Sequence, residues 1–141
     1  CPLFRVKVIY LVRDGRAIVN AYRRKYGSIQ PGLYNLIKTD YSARKLMAKY
    51  GAHNWITIRY EDMVENLKDT LKKICEFSEI SFENNMMKPE TSKFKGIGGN
   101  RILKKPINKI ILDDRWKKEM STFVRSFTKL MVYRYNKRYK Y

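Results

Sequence analysis

One stretch constrains the fold more than any other: Val6 to Tyr22, VKVIYLVRDGRAIVNAY. An apolar run ends in Arg13-Asp14-Gly15-Arg16, and the pattern after it is helical. Val6, Val8, Tyr10 and Val12 alternate with Lys7, Ile9 and Leu11, so only Lys7 is polar and both faces are apolar. That pattern predicts a central strand of a parallel sheet. Asp14 is placed to cap the next helix and Gly15 permits the tight exit. Ala17, Ile18, Ala21 and Tyr22 make an apolar stripe up to Tyr26, with Gly27 as the stop. A strand that delivers an arginine to its carboxyl tip, just ahead of a helix N-terminus, gathers positive charge and free backbone N–H groups. α/β proteins bind anions at such junctions.

The rest of the chain repeats the alternation. Ser28 to Gly32 reads as a connector, and Leu33, Leu36, Ile37, Tyr41, Arg44, Leu46, Met47 and Tyr50 carry helical spacing up to Gly51. Trp55 to Tyr60, WITIRY, is β-branched and aromatic and predicts a second strand. Glu61 and Asp62 open a further helix whose inward face is Met63, Leu67, Leu71, Ile74 and Ser78. From Ser81 to Pro106 periodicity disappears into a long loop rich in glycine and asparagine, and loops of that length are uncommon unless they bind something or are disordered. Asp113 and Asp114 start a helix with Trp116, Met120, Phe123, Phe127, Leu130 and Met131 as its apolar stripe, read as core. The tail from Tyr133 to Tyr141 is basic and aromatic and reads as a solvated helix end. The order βα, α, βα predicts an α/β fold with a parallel sheet flanked by helices.

The 141 residues fit one domain with enough apolar side chains for a core. No segment approaches the roughly 20 apolar residues of a membrane span. Cys1-Pro2 begins almost in strand register, which reads as a piece of something longer. Cys1 and Cys75 lack metal spacing, and Cys75 reads as a small buried residue on a helix. The formal charge of +18 favours polyanionic or phosphorylated partners, or else marks a solvated basic surface.

Three separated pieces together resemble the PAPS-dependent sulfotransferases, PAPS being 3′-phosphoadenosine 5′-phosphosulfate. VIYLVRDGRAIVNAY resembles that family's strand, arginine and helix. ITIRYEDMVENLKDTLKKICEF resembles its second strand and helix. KGIGGNR, followed by a helix containing DDRW, resembles the C-terminal loop and helix that close over the nucleotide. The resemblance implies a P-loop nucleotide-kinase-like sulfotransferase fold, N-terminally truncated, with residues 1–141 as a single partial domain. It implies transfer of a sulfuryl group from PAPS to a hydroxyl or amine acceptor, carbohydrate or small molecule, with no metal and no specific nucleic acid. The phosphosulfate loop and the catalytic base of the family would lie upstream of Cys1. No GxxxxGK[ST] occurs here. The isolated chain is therefore expected to be inactive.

Carried over residue by residue, Arg13 matches the arginine that holds the 3′-phosphate. Asn20 stands with Ala21 near the position of a serine that shares that phosphate, and Tyr60 matches a tyrosine bordering the adenine. Lys95, Gly96, Gly99 and Asn100 fit the basic and glycine positions lining the 3′-phosphate. Arg101 supplies the charge that Phe94 does not. Read from the residues alone, Arg13 is equally a strand-end arginine paired with Asp14 or Glu61, and Arg16 is solvated. Glu61 and Asp62 are helix-starting acids rather than an acid-base pair, and His53 is a turn residue. No catalytic residue is assigned. The alternative is a basic nucleotide-binding, nucleic-acid-binding or acidic-glycan-binding module without catalysis.

Overall fold

A computed structural model describes residues 5–88 and 111–141. The chain forms two compact units, Cys1–Glu61 with Asp113–Tyr141, and Asp62–Leu112. In the first, β1 (Val8–Val12) leads into α1 (Gly15–Tyr26), α2 (Gln30–Tyr50) and β2 (Trp55–Arg59). The strands pair in parallel, Val8 opposite Trp55 and Val12 opposite Arg59, so both carboxyl tips end level. This is the predicted α/β arrangement. Among the described residues, however, β1 is paired on one edge only. Its Ile9 and Leu11 are 46% and 53% exposed, so the expected central strand has one open face. Apolarity on both faces records what a strand tolerates, and the neighbours that cover it are not written in that pattern.

α1 is capped as its sequence demands. The Asp14 carboxylate accepts from the Arg16 N–H, and Gly27 closes the helix at φ 74°, in the left-handed region that glycine enters without strain. α2 starts at Gln30, three residues before the predicted Leu33, because Pro31 occupies the first turn, where its missing N–H costs nothing. Gly32 lets the two helices approach closely. A Cβ there would stand 2.9 Å from the Val19 Cα.

The predicted helix from Asp113 to Met131 is two helices, α5 (Trp116–Glu119) and α6 (Thr122–Met131), and the tail carries a third, α7 (Tyr133–Arg138). Met120 is extended, and the Ser121 hydroxyl restarts the helix by accepting from the Val124 N–H. That break shifts the phase of the buried face. Trp116 and Met120 join Ala17, Val19, Leu36, Val132 and Tyr135 in the core, with Val124 packed against it. Phe123, at 80% exposed, faces outward with Phe127, Leu130 and Met131, so the expected stripe is core only ahead of the break.

The tail is also not a solvated helix end. Tyr135 and Asn136 are buried, Tyr139 stacks edge-on against Tyr135 and Tyr10, and Tyr139 and Arg138 both donate to the buried Asp40 carboxylate of α2 at 2.6 Å.

In the second unit, α3 (Tyr60–Glu65), which starts in the first unit, gives way at Asn66 to α4 (Leu67–Ser78), so the single predicted helix is broken. The Asp62 carbonyl accepts from the Asn66 N–H and from the Thr70 hydroxyl. Cys75 is buried and free, as expected, with its thiol 3.7 Å from the Met86 sulfur. No helix among the described residues is long and apolar enough to cross a membrane.

Candidate functional site

The parallel pairing sets Arg13 and Tyr60, each the residue after its strand, side by side. The Arg13 guanidinium lies over the Tyr60 ring, 4.6 Å from its centroid. Such stacking fixes the plane of the cation at a gain of about 1 kcal/mol. The anionic partner of Arg13 is neither Asp14 nor Glu61 but Asp113. Arg13 Nη2 donates to the Asp113 carbonyl and stands 3.3 Å from its carboxylate, while Nε is buried with no hydrogen-bond partner among the described residues. Arg115 grips the same carboxylate through two bonds, 2.7 and 2.9 Å. Held by Arg115 first and Arg13 second, the Asp113 carboxyl titrates well below the usual carboxylate range.

Asp14 and Glu61 have other partners. Arg16 forks onto the Asp14 carboxylate, with its Nη2 at 2.6 Å, and its guanidinium lies 4.3 Å from the Trp116 ring. It is therefore anchored rather than solvated. Burial works against the charged form of Asp14, yet the bonds from Arg16 and Asn136 outweigh it and lower its pKa. Glu61 accepts from the Tyr141 hydroxyl and from the Asp14 N–H. The Tyr141 hydroxyl, whose single proton Glu61 and the Val12 carbonyl share, also lies 3.1 Å from that carbonyl, and the ring lies 4.5 Å from the Arg59 guanidinium.

These contacts change the meaning of the junction. Its backbone donors are not free: Asp14 N–H goes to Glu61, Gly15 N–H to Asn136 at 2.9 Å, and Arg16 N–H to Asp14 at 2.9 Å. These three donors at the helix start, which a phosphate at a helix N-terminus would use, already have side-chain acceptors. The Arg13 Nε–H, by contrast, has no hydrogen-bond partner among the described residues.

Asn20 is not brought to the same surface. It is 2% exposed, its Nδ2 donates to Glu119 at 2.6 Å, and its Oδ1 accepts from Arg23. It ties α1 to α5. Lys95, Gly96, Gly99, Asn100 and Arg101 lie outside the described residues. His53, in a 3₁₀ turn before β2, sits beside Asn54. A groove of about 450 Å³ between α2 and the α6–α7 pair is lined by none of Arg13, Asn20 and Tyr60. Reading the sequence missed Asp113, Arg115 and Asn136 as parts of this cluster. The only local signal was the acidic pair opening DDRW.

A family model for the sulfotransferase family matches residues 5–84, more than half of the chain. The chain belongs to the sulfotransferase family. No curated protein matches it in sequence. Two solved structures share its fold. The "Sulfotransferase Domain from the Curacin Biosynthetic Pathway" is 21% identical, with a TM-score of 0.64 over 92% of this chain and 53% of that one. The "Sulfotransferase Domain from the Synechococcus PCC 7002 Olefin Synthase" is 19% identical, with a TM-score of 0.62 over 94% of this chain and 50% of that one. This sulfotransferase-family chain thus spans about half the length of the solved domains it matches.

The tyrosines that close the tail of this family member carry a pH dependence. Burial first, and then donation to Asp40 and Glu61, raises the Tyr139 and Tyr141 phenols above their ordinary value. The folded chain therefore holds these protons more tightly than the unfolded chain. Their contribution is complete below about pH 10 and is lost as the pH rises past it. Thermal melts between about pH 9 and pH 11 should fall less steeply for the double variant Tyr139→Phe/Tyr141→Phe than for the parent. Equal slopes would contradict this.

Proposed function

We propose that this chain is the nucleotide-holding part of a PAPS-dependent sulfotransferase, an enzyme that moves a sulfuryl group from PAPS to a hydroxyl or amine acceptor, carbohydrate or small molecule. Family membership supports the reaction class. One observation carries the assignment of the site: a guanidinium stands at the carboxyl tip of a parallel strand, stacked on the neighbouring tip's tyrosine, with a buried N–H that has no partner among the described residues. A buried donor of this kind suits a phosphate oxygen, which accepts strong charge-assisted bonds in a geometry that arginine matches.

In this reading Arg13 takes the 3′-phosphate on Nε and Nη2. Tyr60 offers the ring face not covered by Arg13 to the adenine. Lys95, Gly96, Gly99, Asn100 and Arg101 line the phosphate from the loop that follows. Asn20 is reached only by exchanging its bond to Glu119, so it acts chiefly by holding α1 against α5. PAPS supplies the sulfuryl group already activated by its phosphate, and this chain's residues bind and orient the nucleotide. Residues 1–141 form part of one domain, and the catalytic base and the 5′-phosphosulfate loop are assigned to no residue here.

The test is a calorimetric titration with adenosine 3′,5′-bisphosphate and with AMP. The bisphosphate should bind at least about 100-fold more tightly, since two charge-assisted bonds are worth about 3 kcal/mol or more. Equal affinities, or salt-steep binding of polyanions that ignores the nucleotide, would instead favour a basic binding module.

A further inference from the structure

We infer that Asp113 is an internal anion that occupies Arg13 in the free protein and is exchanged for the phosphate of the incoming nucleotide, so that the segment opening α5 sets the affinity of the site. This rests on the reading of Arg13 as the 3′-phosphate residue. Asp113 arrives from 100 residues further along the chain to place its carbonyl and its carboxylate on the same Nη2. A phosphate docking on that guanidinium meets the carboxylate as a like charge competing for the same donor. Release of the carboxylate removes that repulsion.

The surroundings make Asp113 the group that leaves. Arg115 holds both of its carboxylate oxygens, at 2.7 and 2.9 Å, so releasing Arg13 strands no unpaired charge. The Tyr60 stack fixes Arg13 without help from Asp113, so the guanidinium keeps its place after the exchange. The carboxylate is also a selectivity element. A doubly charged phosphate competes with it for the guanidinium, whereas the neutral 3′-hydroxyl of AMP does not. Asp113 lies three residues ahead of Trp116, which is buried in the core beneath Arg16 and anchors the segment.

The experiment is a titration cycle on the full chain: parent, Asp113→Asn, Arg13→Ala and the double variant, each with adenosine 3′,5′-bisphosphate and AMP. Asp113→Ala is run alongside, because both substitutions remove the charge and only asparagine keeps the shape. Without the competing carboxylate, the bisphosphate should bind about 10-fold more tightly, about 1.4 kcal/mol, with AMP unchanged. The gain should vanish in the Arg13→Ala background. Unchanged or weaker bisphosphate binding in both Asp113 variants would overturn the exchange, and so would a gain that persists without Arg13. A parent protein that binds the bisphosphate no better than AMP would overturn the 3′-phosphate reading itself, and this inference with it.

Discussion

Replacing Arg13 with alanine should lower affinity for adenosine 3′,5′-bisphosphate by at least about 100-fold and leave affinity for AMP unchanged, removing most of the difference between the two and leaving the share proposed for Lys95 and Arg101. Hydrogen bonds to charged groups contribute about 1.5–3 kcal/mol each, and the proposed contact uses two. Lysine should restore only part of the loss, because a point charge cannot reproduce the planar fork or the stack on Tyr60. The fold should tolerate the change. The ion pair with Asp113 is a quarter exposed on both sides, which limits its worth to about 1 kcal/mol, and Asp113 keeps Arg115. A loss of bisphosphate binding with a nearly unchanged melting temperature is thus the expected signature. A loss of both would mean that Arg13 is a structural residue.

The largest effect on stability is expected at Asn136. Its Oδ1 accepts from the Gly15 N–H at 2.9 Å, its Nδ2 donates to Asp14 at 3.1 Å, and it is buried. Asn136→Ala orphans a buried backbone donor and removes a bond from a buried carboxylate, at a cost of about 2–4 kcal/mol. Asn136→Asp keeps the shape but sets a second carboxylate beside Asp14. One of the pair is then pushed to hold a proton, its folded pKa rises, and stability is lost as the pH climbs. That variant should be closer to the parent near pH 4 than near pH 7, at about the carboxylate range and above it. Denaturant unfolding at the two pH values checks both variants. An alanine variant within about 0.5 kcal/mol of the parent would show that the Asn136 bridge does not hold the junction.

Much of the first unit is readable from local chemistry. Asp14, Gly27, Gly51 and the two apolar runs mark helix starts, helix stops and strands because each acts within a turn or two of its own position. Local pattern failed where a single residue leaves the helical conformation: Asn66 splits α3 from α4, and Met120 before Ser121 turns the next apolar stripe away from the core. It failed more completely at the junction itself. Free backbone donors were expected there, yet their acceptors come from Glu61 and Asn136, 47 and 121 residues away. No period or cap motif encodes a partner at that distance. The same holds for Asp113, which occupies Arg13 across the chain, and for Tyr141, whose hydroxyl joins Val12 to Glu61. The family resemblance identified Arg13 and Tyr60 as candidates. The structure adds that they are stacked, that the N–H groups of Asp14, Gly15 and Arg16 have side-chain acceptors, and that the Asp113 carboxylate pairs with Arg13.

The central claim is that the Arg13 guanidinium is the group that takes a 3′-phosphate. Its Nε–H, buried and without a hydrogen-bond partner among the described residues, gives a direct probe. In a ¹⁵N-labelled sample, with the Arg13 side-chain resonance assigned by its absence in Arg13→Lys, adenosine 3′,5′-bisphosphate should move that resonance downfield as a phosphate oxygen accepts from it, and saturating AMP should not. Bisphosphate binding that leaves the Arg13 Nε–H resonance where it was, or an equal shift with AMP, would contradict the account.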